Sequence, residues 1–191
     1  MAGGISQAAF CLAYAWTAQR RAWPAAVSAG CVAFALATVA LACVPLPLAA
    51  LALAVFAALA AAVRAMPRVP DEGGGMTPPP SWDLPARMVV ATVFVIALTG
   101  SAGLLGPRLT GLLAPFPLYA AILTVFAHAL DGAAAAASVL RGLLVGLVAF
   151  AAFFMVLAAT LPAAGVLVAF AAALGVALVL HGGALWVLHR A

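Results

Sequence analysis

In the stretch LLAPFPLYAAILTVFAHALDG, residues 112–132, the side chains able to do chemistry gather in an otherwise apolar run. His128 and Asp131 stand at i and i+3, so a helical path puts them on one face near the end of the run. Pro115 and Pro117 bracket Phe116. Each proline removes a backbone N–H and crowds the carbonyl four residues earlier, which predicts a kinked or locally unwound segment. Inside a bilayer such backbone persists only against protein or a wet cavity, and broken helices near the midplane are one way to build a transport site. The chemistry on offer is hydrogen bonding and apolar contact along a pathway of Pro115, Phe116, Pro117, Tyr119, Thr124 and His128, joined by Tyr14 and Gln7 of the first apolar segment. The plainer alternative is a packing kink with His128 and Asp131 as an interfacial pair. Arg141, ten residues after Asp131, is placed to pair with it as a gate or to snorkel to the headgroups.

Covalent chemistry has little to work with. Asp131 is the only acidic residue outside one hydrophilic stretch, and no HExxH, CxxC or credible Ser/His/Asp set occurs. Hydrolysis within a membrane ordinarily uses paired carboxylates, a metal or an activated nucleophile. The reading is therefore no enzyme, no cofactor and no metal site. Cys11, Cys31 and Cys43 read as small packing residues within apolar segments.

The elements that must position these residues follow from composition. Of 191 residues 69% are hydrophobic and 6% charged, and the mean hydropathy is +1.29. A soluble domain of that length has nowhere to hide so much apolar surface. The expected class is all-α, a polytopic membrane protein with seven spans: Gly3 to Ala18, Trp23 to Val44, Leu46 to Val63, Met88 to Gly106, Leu109 to Leu130, Ala137 to Thr160 and Ala163 to Leu188. The first lacks a basic n-region and carries Ser6 and Gln7, so it reads as a retained span and not a signal peptide. All eight basic residues are arginines. With the amino terminus outside, the cytoplasmic side collects Arg20, Arg21, Arg64, Arg68, Arg87, Arg141 and Arg190, leaving Arg108 outside. That bias predicts an N-out, C-in protein, and it assigns the +4 net charge to topology; no nucleic-acid partner is expected.

The stretch RAMPRVPDEGGGMTPPPSWDLPAR, residues 64–87, reads as a cytoplasmic linker, with Asp83 and Pro85 suited to a helix start and Trp82 to the headgroup level. It separates a first three-helix unit (1–63) from a connecting helix (88–108) and a second three-helix unit (109–191). QAAFCLAYAW (Gln7 to Trp16) overlies YAAILTVFAH (Tyr119 to His128), and GCVAFA (Gly30 to Ala35) overlies GLVAFA (Gly146 to Ala151). Proline turns follow in both halves, at Pro45 and Pro47 and at Pro162. Four crossings separate equivalent helices, so the expected layout is a parallel 3+1+3 repeat, a plan that some carriers share. GLLVG (Gly142 to Gly146) and SAG (Ser28 to Gly30) are small-residue packing signals. His181, followed by Gly182 and Gly183, reads as a histidine bonded within the bundle.

The segment GLLAPFPLYAAILTVFAHALDG, with LRGLLVG following at Leu140 to Gly146, resembles the small bacterial inner-membrane proteins of the GlpM type. Their Phe-Pro, His, Gly and Leu-Arg succession is matched over about 35 residues of the second half, with Pro117, His128 and Arg141 at the corresponding positions. The resemblance implies a duplicated, multi-pass relative in a bacterial inner membrane and carries no substrate. The amino-terminal half departs from it, having no Phe-Pro element. Two functions are then in view. One is a transporter or flippase-like carrier of an uncharged or amphipathic substrate, its pathway lying between the repeats. The other is a non-catalytic subunit or scaffold of an envelope-assembly complex. The expected partners are membrane lipids and either further copies of the chain or an envelope protein.

Overall fold

A computed structural model describes residues 3–44, 47–67, 82, 84–93, 95–96, 99–100 and 116–188. Every described element is a helix. Pro115, Arg108, Arg190, most of the 64–87 linker and nearly half of the fourth expected span lie outside the described residues.

Three helices open the chain: α1 (Gly3–Ala18), α2 (Trp23–Ala42) and α3 (Leu48–Ala65). Proline sets two of the starts. Ala22 is extended and Pro24 falls in the first turn of α2, where a missing N–H costs nothing. Pro47 is extended ahead of α3, and its carbonyl accepts from the Leu51 N–H at 2.9 Å. Helix α3 stops at Met66, extended because the next residue is Pro67. A shorter helix, α4 (Leu84–Val93), lies against the second half, with the Arg87 guanidinium 5.2 Å from the centre of the Phe126 ring.

The remaining helical stretch, Leu118–Leu188, is broken at Gly132 (φ 87°) and Gly165 (φ 74°). Only glycine takes such a φ without strain. The breaks define α5 (118–131), α6 (133–164) and α7 (166–188). Phe153 and Phe170 meet with ring centroids 6.1 Å apart, and Gly146 faces the His181 ring. Residues pairing about Gly165 in this way make α6 and α7 an antiparallel hairpin. The expected turn at Pro162 is displaced: Pro162 lies in the last turn of α6, and the reversal waits three residues for a glycine able to adopt positive φ.

Two helical stretches, Trp23–Ala42 and Leu118–Gly183, are long and apolar enough to cross a membrane. At about 1.5 Å per residue the second would extend roughly 100 Å if straight, more than three times a hydrocarbon core about 30 Å thick. Its two glycine breaks are what fold it back to bundle dimensions.

Helix α1 sits at the centre. Ser6, Phe10, Cys11, Tyr14 and Ala15 are all buried, in one apolar core with Phe34 of α2, Val55, Leu59 and Ala62 of α3, Ala121 of α5 and Leu140 and Leu144 of α6. Phe10 reaches α2 at Gly30, and the Thr38 hydroxyl donates to Ser6 Oγ at 2.9 Å, so α1 and α2 are antiparallel. Gly4 lies by Val55, and the Trp16 indole N–H donates to the Ala65 carbonyl at 3.1 Å, so α1 and α3 run the same way. The most polar of the expected spans is thus the most enclosed by protein. In an apolar solvent polar side chains belong at helix–helix contacts, and Ser6 with Thr38 is such a contact.

Candidate functional site

The inner seam between α1 and α5 carries the polar groups. Helix α5 begins where the prolines end: Phe116 and Pro117 are non-helical, and the Pro117 carbonyl accepts the first-turn N–H of Ala121 at 2.7 Å. Pro117 therefore acts as a helix-starting residue within the stretch expected to be a single span, and Leu118 N–H closes back on the Phe116 carbonyl at 2.8 Å. This loose turn frees Phe116 to point its ring into the bundle, edge-on to Phe10 (centroids 6.0 Å apart) and to Phe34 (5.3 Å).

One turn beyond Phe10, Tyr14 continues the string, its ring 6.0 Å from Phe10 and 5.9 Å from the His128 imidazole. The Tyr14 hydroxyl and His128 Nδ1 are 3.2 Å apart, with the hydroxyl donating in the Nε2-protonated tautomer. A continuous aromatic line, Phe34–Phe116–Phe10–Tyr14–His128, joins α2, the start of α5, α1 and the end of α5. Gly30 is what lets α1 come close enough: a Cβ there would stand 2.9 Å from the Phe10 ring.

Thr124 lies one turn before His128 on α5, at i, i+4. It is 0% exposed, and its hydroxyl has no hydrogen-bond partner. A threonine in a helix can always bond its own backbone one turn back, as Thr160 does to the Val156 carbonyl at 2.8 Å. The Thr124 hydroxyl does not, and a buried hydroxyl left open costs about 1–3 kcal/mol. A polar atom in that condition is suited to a water or a solute group entering the seam.

The structure brings together Phe116, Pro117, Thr124, His128 and Tyr14. Gln7 is half-buried on α1, two turns before Tyr14. Tyr119 does not join them: it is 69% exposed, on the side of α5 opposite buried Pro117, Ala121 and Thr124. Pro115 lies outside the described residues. The Asp131–Arg141 pair does not form. Asp131 is exposed, and Arg141 donates to the Pro67 carbonyl at 3.4 Å, tying the second half to the end of α3. The Gly132 break turns the chain between them, so their spacing along the sequence does not translate into a shared face. Among the described residues no group of three metal-ligating side chains gathers.

Phe10 and Phe34 are the site residues that sequence reasoning did not reach, and Gly30, read as a small packing residue, had no partner assigned to it. The available signal was a lone large ring in an alanine-rich helix opposite a glycine of the next, legible only once the pairing of α1 with α2 is known. Against known proteins, the chain matches no protein-family model, no curated protein and no solved structure.

Proposed function

We propose that the chain is a multi-pass inner-membrane carrier, transporter or flippase-like, for an uncharged or amphipathic substrate, with its pathway in the seam between α1 and α5. The observation that carries this reading is the buried, unpartnered Thr124 hydroxyl one turn from the Tyr14–His128 hydrogen bond. A seam with open hydrogen-bonding capacity in an apolar bundle is where a neutral solute gains most from entering. Seven spans with N-out, C-in orientation belong to the same proposal. In its support, Trp16 on Ala65 and Arg141 on Pro67 draw the Arg20–Arg21, Arg64 and Arg141 regions to one end of the bundle, as the positive-inside bias requires. The parallel 3+1+3 repeat is proposed with it.

Reconstituted into vesicles, the protein is expected to speed transfer of a fluorescent-headgroup phospholipid between leaflets, or shrinkage-recovery with small neutral polyols. Tyr14→Phe and Pro117→Ala are expected to alter that flux while leaving insertion intact. Vesicles indistinguishable from protein-free controls with both probes would sink the carrier reading.

The scaffold reading draws on a different observation. Phe10 and Tyr14 are fully enclosed, and the aromatic line fills the seam, as in a bundle built to hold its shape for a partner. A GlpM-type relationship fits either reading: Pro117, His128 and Arg141, which carry the resemblance, start α5, hold Tyr14 and hold Pro67 respectively.

A further inference from the structure

A second site lies away from the seam, on the outer side of the α6–α7 hairpin. Ala169 and Ala173 are fully buried where α7 meets α6, while Leu167, Leu174, Leu178 and Val179 on its other faces are exposed. Continuing that four-residue stripe, Ala177 and then His181 line an open groove of about 390 Å³ together with Gly146, Phe150 and Phe153 of α6. Gly146 and Ala177 make the groove by being small; Phe150 and Phe153 make its apolar wall. Its single polar side chain is His181, and among the described residues that imidazole has no hydrogen-bond partner. The expectation of a histidine bonded within the bundle is therefore not met.

We infer that this groove binds one acyl chain of a membrane glycerolipid, with an ester carbonyl of that lipid accepting from a His181 N–H. The inference rests on the membrane-spanning part of the proposed function, not on transport. Depth supports it: with the Gly165 reversal taken at one boundary of a hydrocarbon core about 30 Å thick, His181, sixteen residues on and about 24 Å along α7, stands roughly 6 Å inside the other boundary. That is near the level where the ester groups of one leaflet begin. Size supports it as well. From Gly146 to Phe153 is about 10 Å of helix, and an open groove of 390 Å³ along it has room for a hydrocarbon chain. Polarity agrees with both, the one donor standing at the headgroup end and aromatic rings toward the bilayer centre. An imidazole N–H facing lipid tails alone would stay unsatisfied, which is costly in hydrocarbon.

The test uses the full chain in phosphatidylcholine vesicles holding a trace of phosphatidylcholine with a diazirine on its acyl chain. Carbonate extraction before irradiation shows whether the chain is membrane-integral, so a failure of the membrane reading is seen separately. After irradiation, the label is expected to concentrate on peptides covering 143–153 and 177–181. It should fall about fivefold in His181→Phe, which keeps the ring volume and loses one hydrogen bond, and further in Ala177→Leu, which fills the trough. His181 is exposed, so H181F is expected to keep the wild-type elution profile even if A177L does not fold. Even labelling over Leu167 and Leu178, unchanged in H181F, would mean annular lipid only and overturn the site. Label excluded from the groove by a cross-linkable second copy would overturn it too.

Discussion

GCVAFA in α2 and GLVAFA in α6 agree at five of six positions, yet the bundle uses them in opposite ways. In α2, Gly30 is pressed against the Phe10 ring, and Phe34, 4% exposed, closes on Phe116. In α6, Gly146 looks outward to His181 across an open groove, and Phe150 is 52% exposed beside Phe154. The core side of α6 is instead built from Leu140, Leu144, Leu147 and Ala151. Near-identical hexapeptides thus bury different faces, because what a face packs against is decided by its partner helix. The first three helices wrap a central α1, whereas the α6–α7 hairpin has one side in the core and one side open. If the two halves descend from one unit, their packing has diverged even where this hexapeptide has hardly changed.

Substitutions at the matched positions separate the two regions, and the largest contrast is at the phenylalanines. Phe34→Ala empties a space between α1, α2 and α5 and is expected to cost about 3 kcal/mol. Phe150→Ala, on the open side, is expected to cost well under about 1 kcal/mol. Unfolding in mixed micelles by a denaturing detergent measures both; equal losses would erase the distinction. Next come the glycines. Gly30→Ala drives a methyl to 2.9 Å from the Phe10 ring, and overpacking of this kind costs about 1–3 kcal/mol. At Gly146 the same methyl stands 3.8 Å from the His181 ring, an ordinary contact, and Gly146→Ala is expected to be neutral or slightly stabilising.

Gly165→Ala sharpens the picture of the hairpin itself. Nothing crowds a methyl there, but the residue holds φ 74° and ψ 171°, a region essentially reserved for glycine, so the expected loss is about 1–3 kcal/mol from backbone strain alone. A thermal-melt series of Gly165→Ala against Gly175→Ala, a glycine with open space and no positive φ, isolates that term. The smallest loss expected is at Ser6→Ala, which removes the bond from Thr38. Hydrogen bonds between membrane helices average about 0.6 kcal/mol, and a much larger loss would mean Ser6 supports more than α2.

Much of this architecture is legible in the residues. The first expected span coincides with α1, the second overruns α2 by two residues, and the third lies two residues early on α3. Proline punctuation is the reason: Pro24, Pro47 and Pro67 bound these helices, whereas the last reversal was expected at Pro162 and comes at Gly165. The Phe116–Pro117 interruption and His128 were legible for the same reason, being local departures from an apolar run. What was hidden is orientation about each helix axis. Runs of alanine, leucine and valine are apolar on every face, so periodicity cannot say that Tyr14 turns inward and Tyr119 outward. Nor can it say that Arg141 will reach a backbone carbonyl 74 residues away instead of Asp131.

The central claim is that solute or water reaches the seam between α1 and α5, and Thr124 is the atom-level place to ask. In a full chain with Cys11, Cys31 and Cys43 replaced by alanine, Thr124→Cys would be exposed in vesicles to a small, membrane-impermeant thiosulfonate. Modification of Cys at that position, slowed by bulkier reagents and abolished when Ala120→Trp plugs the seam, is the predicted result. A thiol that stays unmodified while one placed at exposed Asp131 reacts fully would contradict the account, leaving the aromatic line as packing and the protein as a scaffold.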